Sequence, residues 1–131
     1  MNKHRKNISS GATWEDIVGY SRAVRVGNII EVAGTTAVDG DKVMAPGDVY
    51  GQTIYILNKI QHAIEQAGGN MKDVVRTRMF ITDIKKWEEA GRAHGEFFKD
   101  IKPVTTMVEI NALINPDLLI EIEATAYLDT M

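Results

Sequence analysis

Between residues 48 and 69 the apolar positions form a stripe: Val49, Thr53, Ile56, Leu57, Ile60, Ala63, Ile64 and Ala67 recur at helical spacing. The pattern predicts a long helix with Asp48 as N-cap and Gly68-Gly69 as its C-terminal stop. Those glycines follow a helix instead of opening one, so they do not make a phosphate loop. Upstream, "RAVRV" (22–26) and "NIIEVAGTTAV" (28–38) read as strands joined by a Gly27-Asn28 hairpin. Asp39-Gly40 makes a second turn, and "KVM" (42–44) returns as a short edge strand before Pro46-Gly47. Downstream, "DVVRTRMFITD" (73–83) alternates, with Val75, Thr77, Met79 and Ile81 on one side and Arg76, Arg78 and Phe80 on the other. Asp83 is placed to cap a second helix in which Trp87, Gly91, His94 and Phe98 share a face. Lys102-Pro103 breaks that helix, and "VTTMVEI" (104–110) and "LLIEIEATAYL" (118–128) follow as strands.

The order β-β-(β)-α-β-α-β-β predicts a single α+β domain spanning residues 1–131, a two-layer sandwich with both helices on one sheet face. Val104, Thr106, Val108 and Ile110 fit the helix side, with Ile120, Ile122 and Ala124. The uncovered face then carries Thr105, Met107, Glu109, Glu121, Glu123 and Thr125, with Arg76 and Arg78 on the earlier strand. Such a face is either solvated, with cross-strand ion pairs of about 0–1 kcal/mol each, or an oligomer interface whose charges line clefts. Met107, Phe80 and Tyr127 among those charges favour the covered surface.

Composition narrows the partners. The 131 residues are 44% hydrophobic and 25% charged, ordinary for one globular domain. A net charge of -3 argues against a coat for nucleic acid or anionic membrane. With no cysteine there is no disulfide, thiolate metal site or thiol nucleophile. The basic "MNKHRKNISSG" lacks an apolar stretch, so no signal peptide is expected, and no run is long enough to span a bilayer. The reading is a cytoplasmic protein with residues 1–10 flexible.

Three segments together carry a resemblance: "YSRAVRVGNIIEVAGT", "DVVRTRMFITDIKKWEEAGRAHGEFF" and "PVTTMVEINALINPDLLIEIEATA". They resemble the YjgF-type reactive-intermediate deaminase (RidA) family, some members of which are called L-PSP endoribonucleases. The resemblance runs from about residue 14 to 128 and is most specific in "P…VEI…L…IEIEA". It implies a chorismate-mutase-like fold, a homotrimer with sheets packed inward, and small-molecule clefts between subunits. It also implies hydrolysis of enamine or imine intermediates to a keto acid and ammonia, without a cofactor.

Carried over position by position, the resemblance keeps the cleft tyrosine as Tyr20 and puts the backbone donors at Ala33 and Gly34. The glutamate that positions the hydrolytic water falls at Glu121. Two positions depart from the pattern: the arginine that clamps the substrate carboxylate is Thr105, and an asparagine of the second helix is Gly91. A hydroxyl cannot reproduce a bidentate guanidinium–carboxylate pair. Losing such a pair weakens carboxylate binding by about ten- to a hundredfold. The expected ligand is therefore something other than a simple 2-imino acid, unless another cation enters the cleft. Arg22 is the first choice, ahead of Arg76 and Arg78.

Glu121 admits two roles, a general base made available by burial or an interface glutamate paired to arginine. Glu109 reads as structural and His94 as a core or rim histidine with a satisfied N–H. Trp14 either walls the cleft or anchors packing. His62 and Glu65 lie three apart on the first helix with no third ligand, so no metal is expected. Cofactor-free hydrolysis is thus weighed against non-catalytic binding of a metabolite. Nuclease activity ranks last, because cations cluster only at Lys3, His4, Arg5 and Lys6.

Overall fold

The structure, a computed structural model, describes residues 4–129. Strand β1 (Arg5–Ile8) leads into helix α1 (Thr13–Val18), then β2 (Ala23–Val26) and β3 (Ile29–Thr35). A ribbon of β4 (Val38–Asp39) and β5 (Lys42–Val43) precedes the long helix α2 (Val49–Gln66). Then come β6 (Val74–Ile81), α3 (Trp87–Phe98), β7 (Val104–Glu109) and β8 (Ile120–Tyr127). The main sheet runs β1-β2-β3-β8-β6-β7, antiparallel throughout except for the parallel pair β6–β7 at one edge. Because β8 separates β3 from β6, the chain crosses over through α2 and again through α3, and both helices bury against one face. This is the two-layer α+β sandwich that the sequence predicts.

Local chemistry places the elements. Asp48 accepts from Gly51 N–H at 2.9 Å and starts α2. At its end Gly68 takes φ +97°, its N–H bonding Glu65 O and that of Gly69 bonding Ile64 O. Gly27-Asn28 turns β2 into β3, with Val26 opposite Ile29 and Gly27 at φ +58°. The stripe of α2 then meets the sheet: Ile56, Leu57, Ile60 and Ile64 pack with Ile30, Met79, Ile81, Ile120 and Ile122, all fully buried. Each such side chain contributes about 1.5–3 kcal/mol of transfer free energy. Fully buried Gln52 ties the approach to β8 onto α2, donating to Asp117 O and accepting from Leu119 N–H, both at 2.9 Å. Among the described residues no helix is long and apolar enough to cross a membrane.

Three expectations are corrected. Residues 5–8, expected to be flexible, lie as an edge strand paired with β2, and α1 is an element the pattern did not announce. Residues 1–3 of that segment fall outside the described residues. Val75 does not share a side with Thr77, because the β6–β8 register slips between Val74 and Arg76 and leaves it exposed. The two faces of β7 are also reversed. Thr105 lies beside Thr77 and Met107 beside Met79, so Thr105, Met107 and Glu109 look toward the helices. Val104 and Val108 stand exposed on the other face. The valines suggested a core side, but a buried Thr77 hydroxyl needs a partner, and Thr105 supplies it at 2.7 Å.

Candidate functional site

Helix α1 ends at Gly19, in the left-handed region at φ +90°, where the N–H groups of Gly19 and Tyr20 both donate to Glu15 O. The turn sets Tyr20 at the surface and feeds the chain into the sheet at Arg22. Arg22 N–H donates to Ile8 O at 2.8 Å, and its carbonyl accepts from Ala33 N–H at 3.0 Å. Its Nη2 reaches Gly34 O at 2.6 Å, and its guanidinium carbon lies 6.0 Å from the centre of the Tyr20 ring. Arg22, expected to choose between solvent and cleft, is half-buried and gathered into the site.

The next piece is a bulge. The β3–β8 register pairs Val32 with Ala124 and then Thr35 with Ile122, so Ala33 and Gly34 together oppose one residue, Glu123. The bulge brings the backbone of Gly34 under the side chain of Glu121, so close that any side chain at position 34 would collide with Oε2. A side chain at position 34 would have to displace that carboxylate, the free end of a flexible group, and the φ of Gly34 is unremarkable. Burial raises the Glu121 pKa above its ordinary value and repulsion from Glu123 adds to it, while Arg22 partly opposes both.

Tyr20, Arg22, Gly34 and Glu121 therefore lie together in the fold. Ala33 does not serve as a spare donor, since its N–H is committed to Arg22 O. Next to the cluster a groove of about 690 Å³ runs over the open face, lined by Tyr20, Ala33, Glu31 and the Arg78–Glu123 ion pair of 3.2 Å.

Thr105 and Gly91 lie elsewhere in the chain. Thr105 belongs to a hydrogen-bonded chain on the helix-covered side, in which Thr77 donates to Thr105 and His94 Nε2 lies 2.9 Å from Thr77 Oγ1. Gly91 sits one turn before His94 on α3, its nearest neighbour the Trp87 ring. Glu121 and Thr105 thus occupy opposite faces of the same sheet. His94 also contacts the Phe98 ring at 4.6 Å, and burial lowers its pKa. It is the satisfied rim histidine that the sequence favours. Glu109 accepts from Ile84 N–H at 2.9 Å, a structural role. Trp14 is exposed on α1. His62 and Glu65 are exposed on α2, and no group of three His, Cys, Asp or Glu suited to a metal occurs among the described residues.

Two residues of this neighbourhood escaped the sequence reading. Glu15, only 4% exposed, accepts from the hydroxyls of Ser9 and Ser10 and from Ser10 N–H. Desolvation there opposes the charge, but these hydrogen bonds outweigh it and, with Arg22, lower the pKa. Lys59 reaches back from α2 to the carbonyls of Thr36 and Val38 at 3.2 and 3.0 Å. An acidic residue in the first turn of α1 was the available signal for Glu15; nothing local marks Lys59.

Comparison with known proteins decides the family. The model of the Endoribonuclease L-PSP family matches residues 11–128. The chain belongs to this family. An uncharacterised Streptomyces coelicolor protein is 36% identical over 122 residues, covering 93% of this chain and 91% of its own length. The 3-aminoacrylate deaminase RutC of Acinetobacter baylyi is 32% identical over 109 residues, 82% of this chain and 86% of that protein. Among solved structures, a Mycobacterium tuberculosis member of the YjgF family superposes with a TM-score of 0.87 at 49% identity, covering 95% of this chain and 99% of that one. The Escherichia coli YjgF gene product gives 0.80 at 29%, with 93% and 98% covered. The fold is that of the YjgF group.

Proposed function

We propose that the chain hydrolyses a small enamine or imine without a cofactor, in a cleft that a neighbouring copy completes. The observation that carries this reading is Glu121, held half-buried across Gly34 with its charge disfavoured and with Arg22 and Tyr20 beside it. A carboxyl group whose pKa is raised keeps its proton to higher pH, and can hand it to the enamine carbon and then accept one from the attacking water. The enamine C=C–NH2 gains that proton at carbon and becomes an iminium ion. Water adds to the iminium carbon, the C–N bond breaks, and a carbonyl compound and ammonia leave. One water is consumed and no electrons are transferred. A relative bearing the name 3-aminoacrylate deaminase supports this class of chemistry.

Within one chain Thr105 and Glu121 face opposite ways, so a cleft containing both requires a second copy. Exposed Val26, Ile29, Val104, Val108 and Tyr127 on the open face give a trimer of inward-packed sheets apolar surface to bury. Threonine in place of arginine shifts the substrate away from simple 2-imino acids, because one hydroxyl replaces a charged fork. A second reading, metabolite binding without turnover, is favoured by the Ala33 amide: it is already bonded to Arg22 O and leaves the site one donor short. RNA cleavage is not adopted, given the net charge of -3.

The test follows ammonia and carbonyl release from enzymatically generated 2-aminoacrylate, 3-aminoacrylate and uncharged enamines, with wild type and Glu121→Gln. Turnover of at least one substrate that the glutamine variant lacks supports hydrolysis. Saturable ligand binding with no turnover of any substrate supports the binding reading instead.

A further inference from the structure

On the helix side of Arg22 lies a second hollow, of about 410 Å³, whose lining includes Ser9, Arg22, Tyr55, Lys59, His62 and Ala63. Its volume is that of a small-molecule site. We infer that this hollow binds a small organic carboxylate, with the anion between Lys59 and Arg22 and an apolar body against the Tyr55 ring and Ala63.

The charges supply the first reason. Two cations border one small space, and neither has a carboxylate within ion-pair distance; the described ion pairs are Arg78–Glu123 and Lys86–Glu89. Lys59 gives two hydrogen bonds to carbonyl oxygens, which leaves the third donor of its ammonium group unassigned. Arg22 gives one, from Nη2 to Gly34 O, and its buried Nε has no partner at all. Holding like charges together in a half-buried place is costly without an anion between them. Burial and the charge of Arg22 both lower the Lys59 pKa, in the same sense.

The nearby acids do not fill the role. Glu15 acts on Arg22, but its oxygens are occupied by Ser9 and Ser10. Asp39 acts on Lys59 without forming an ion pair with it. Glu121 lies over Gly34 and acts on Arg22 without forming an ion pair with it.

The apolar lining supplies the second reason and narrows the ligand. The Tyr55 ring stands 5.7 Å from the Lys59 ammonium, so a flat or branched hydrocarbon can lie against the ring while its carboxylate meets the cation. Inorganic phosphate would leave that surface uncovered. His62, exposed at the rim, adds no carboxylate. The inference does not rest on hydrolysis at Glu121, although Arg22 borders both places.

The experiment is a two-dimensional NMR titration of the full-length, isotope-labelled protein with benzoate, its neutral counterpart benzamide, and inorganic phosphate. Benzoate should give saturable shifts in the 55–63 stretch, with benzamide and phosphate binding at least about tenfold more weakly. Lys59→Met should weaken benzoate by about tenfold or more, the loss of a charge-assisted contact. Because Lys59 also holds the 36–38 carbonyls, a second variant at an exposed position, His62→Glu, keeps the fold and should weaken benzoate severalfold by repulsion. Benzamide or phosphate binding as tightly as benzoate would overturn the inference. So would benzoate affinity unmoved by His62→Glu, shifts confined to residues around Gly34 and Glu121, or no saturable shift.

Discussion

The carboxylate of Glu121 lies directly over Gly34, and the absence of a side chain at position 34 is what lets it lie there. Gly34→Ala should push the carboxylate aside, because the side chain can rotate while the bulge cannot. Stability should change by less than about 1 kcal/mol, since the displaced atoms are the free end of a flexible group. Deaminase turnover should fall at least about tenfold, equivalent to about 1.4 kcal/mol of transition-state stabilisation. Parallel melting curves and rate measurements separate the two effects.

Glu121→Gln should show a pH-dependent gain in stability. The folded state raises the Glu121 pKa above its ordinary 4.5, so the wild-type contribution is complete below that value and is lost as pH rises through the folded-state pKa. Glutamine stays neutral throughout. Denaturant titrations at several pH values should therefore find the variant gaining on wild type as pH rises, by less than about 1 kcal/mol once solvent screening is allowed for.

His94 gives the opposite slope. Burial lowers its pKa from the ordinary 6.5, so its stabilising contribution is whole above that value and is lost as pH falls through the folded-state pKa. Melting temperature should drop as the solution is acidified from pH about 7 toward 5, where an unperturbed histidine would charge. His94→Gln should flatten that part of the curve.

Thr105→Arg should add carboxylate recognition to the cleft. For 2-aminoacrylate we expect KM to fall by about ten- to a hundredfold, with little change for an uncharged enamine. Equal effects on both substrates would count against Thr105 as the carboxylate-facing position. The variant also breaks the Thr77–Thr105 hydrogen bond, so its melting temperature must be measured alongside.

Sedimentation velocity should find a species three times the 14.6 kDa chain. Val108→Glu places a charge on the exposed apolar face of β7 and should shift the boundary toward monomer. Turnover should be lost with it, because Thr105 and Glu121 then have no way to share a cleft.

Helices α2 and α3 were legible because their signals are local, whereas the six-residue α1 was not announced. The α2 stripe, the Asp48 cap and the glycine stop all lie within a few turns of one another, and the hairpin at Gly27-Asn28 needs only a two-residue turn. The cluster around Glu121 was legible through resemblance, which aligned Tyr20, Gly34 and Glu121. Arg22 was singled out only by its place two residues after the tyrosine. The phase of β7 was misread because alternation gives two faces without saying which is inside. Three exposed positions in a row at an edge strand leave that choice to the neighbours.

The sequence alone determined the helices α2 and α3, the strands β2, β3, β6, β7 and β8 and the family they build, because propensity, capping and periodicity act over short stretches of chain. Tertiary structure alone decided that β1 pairs, that Ala33 gives its amide to Arg22 and that Thr105 turns toward His94. It also decided that Lys59 meets Arg22 across a hollow. Each of these joins residues far apart along the chain, and their contact follows from strand order and register that no short segment encodes.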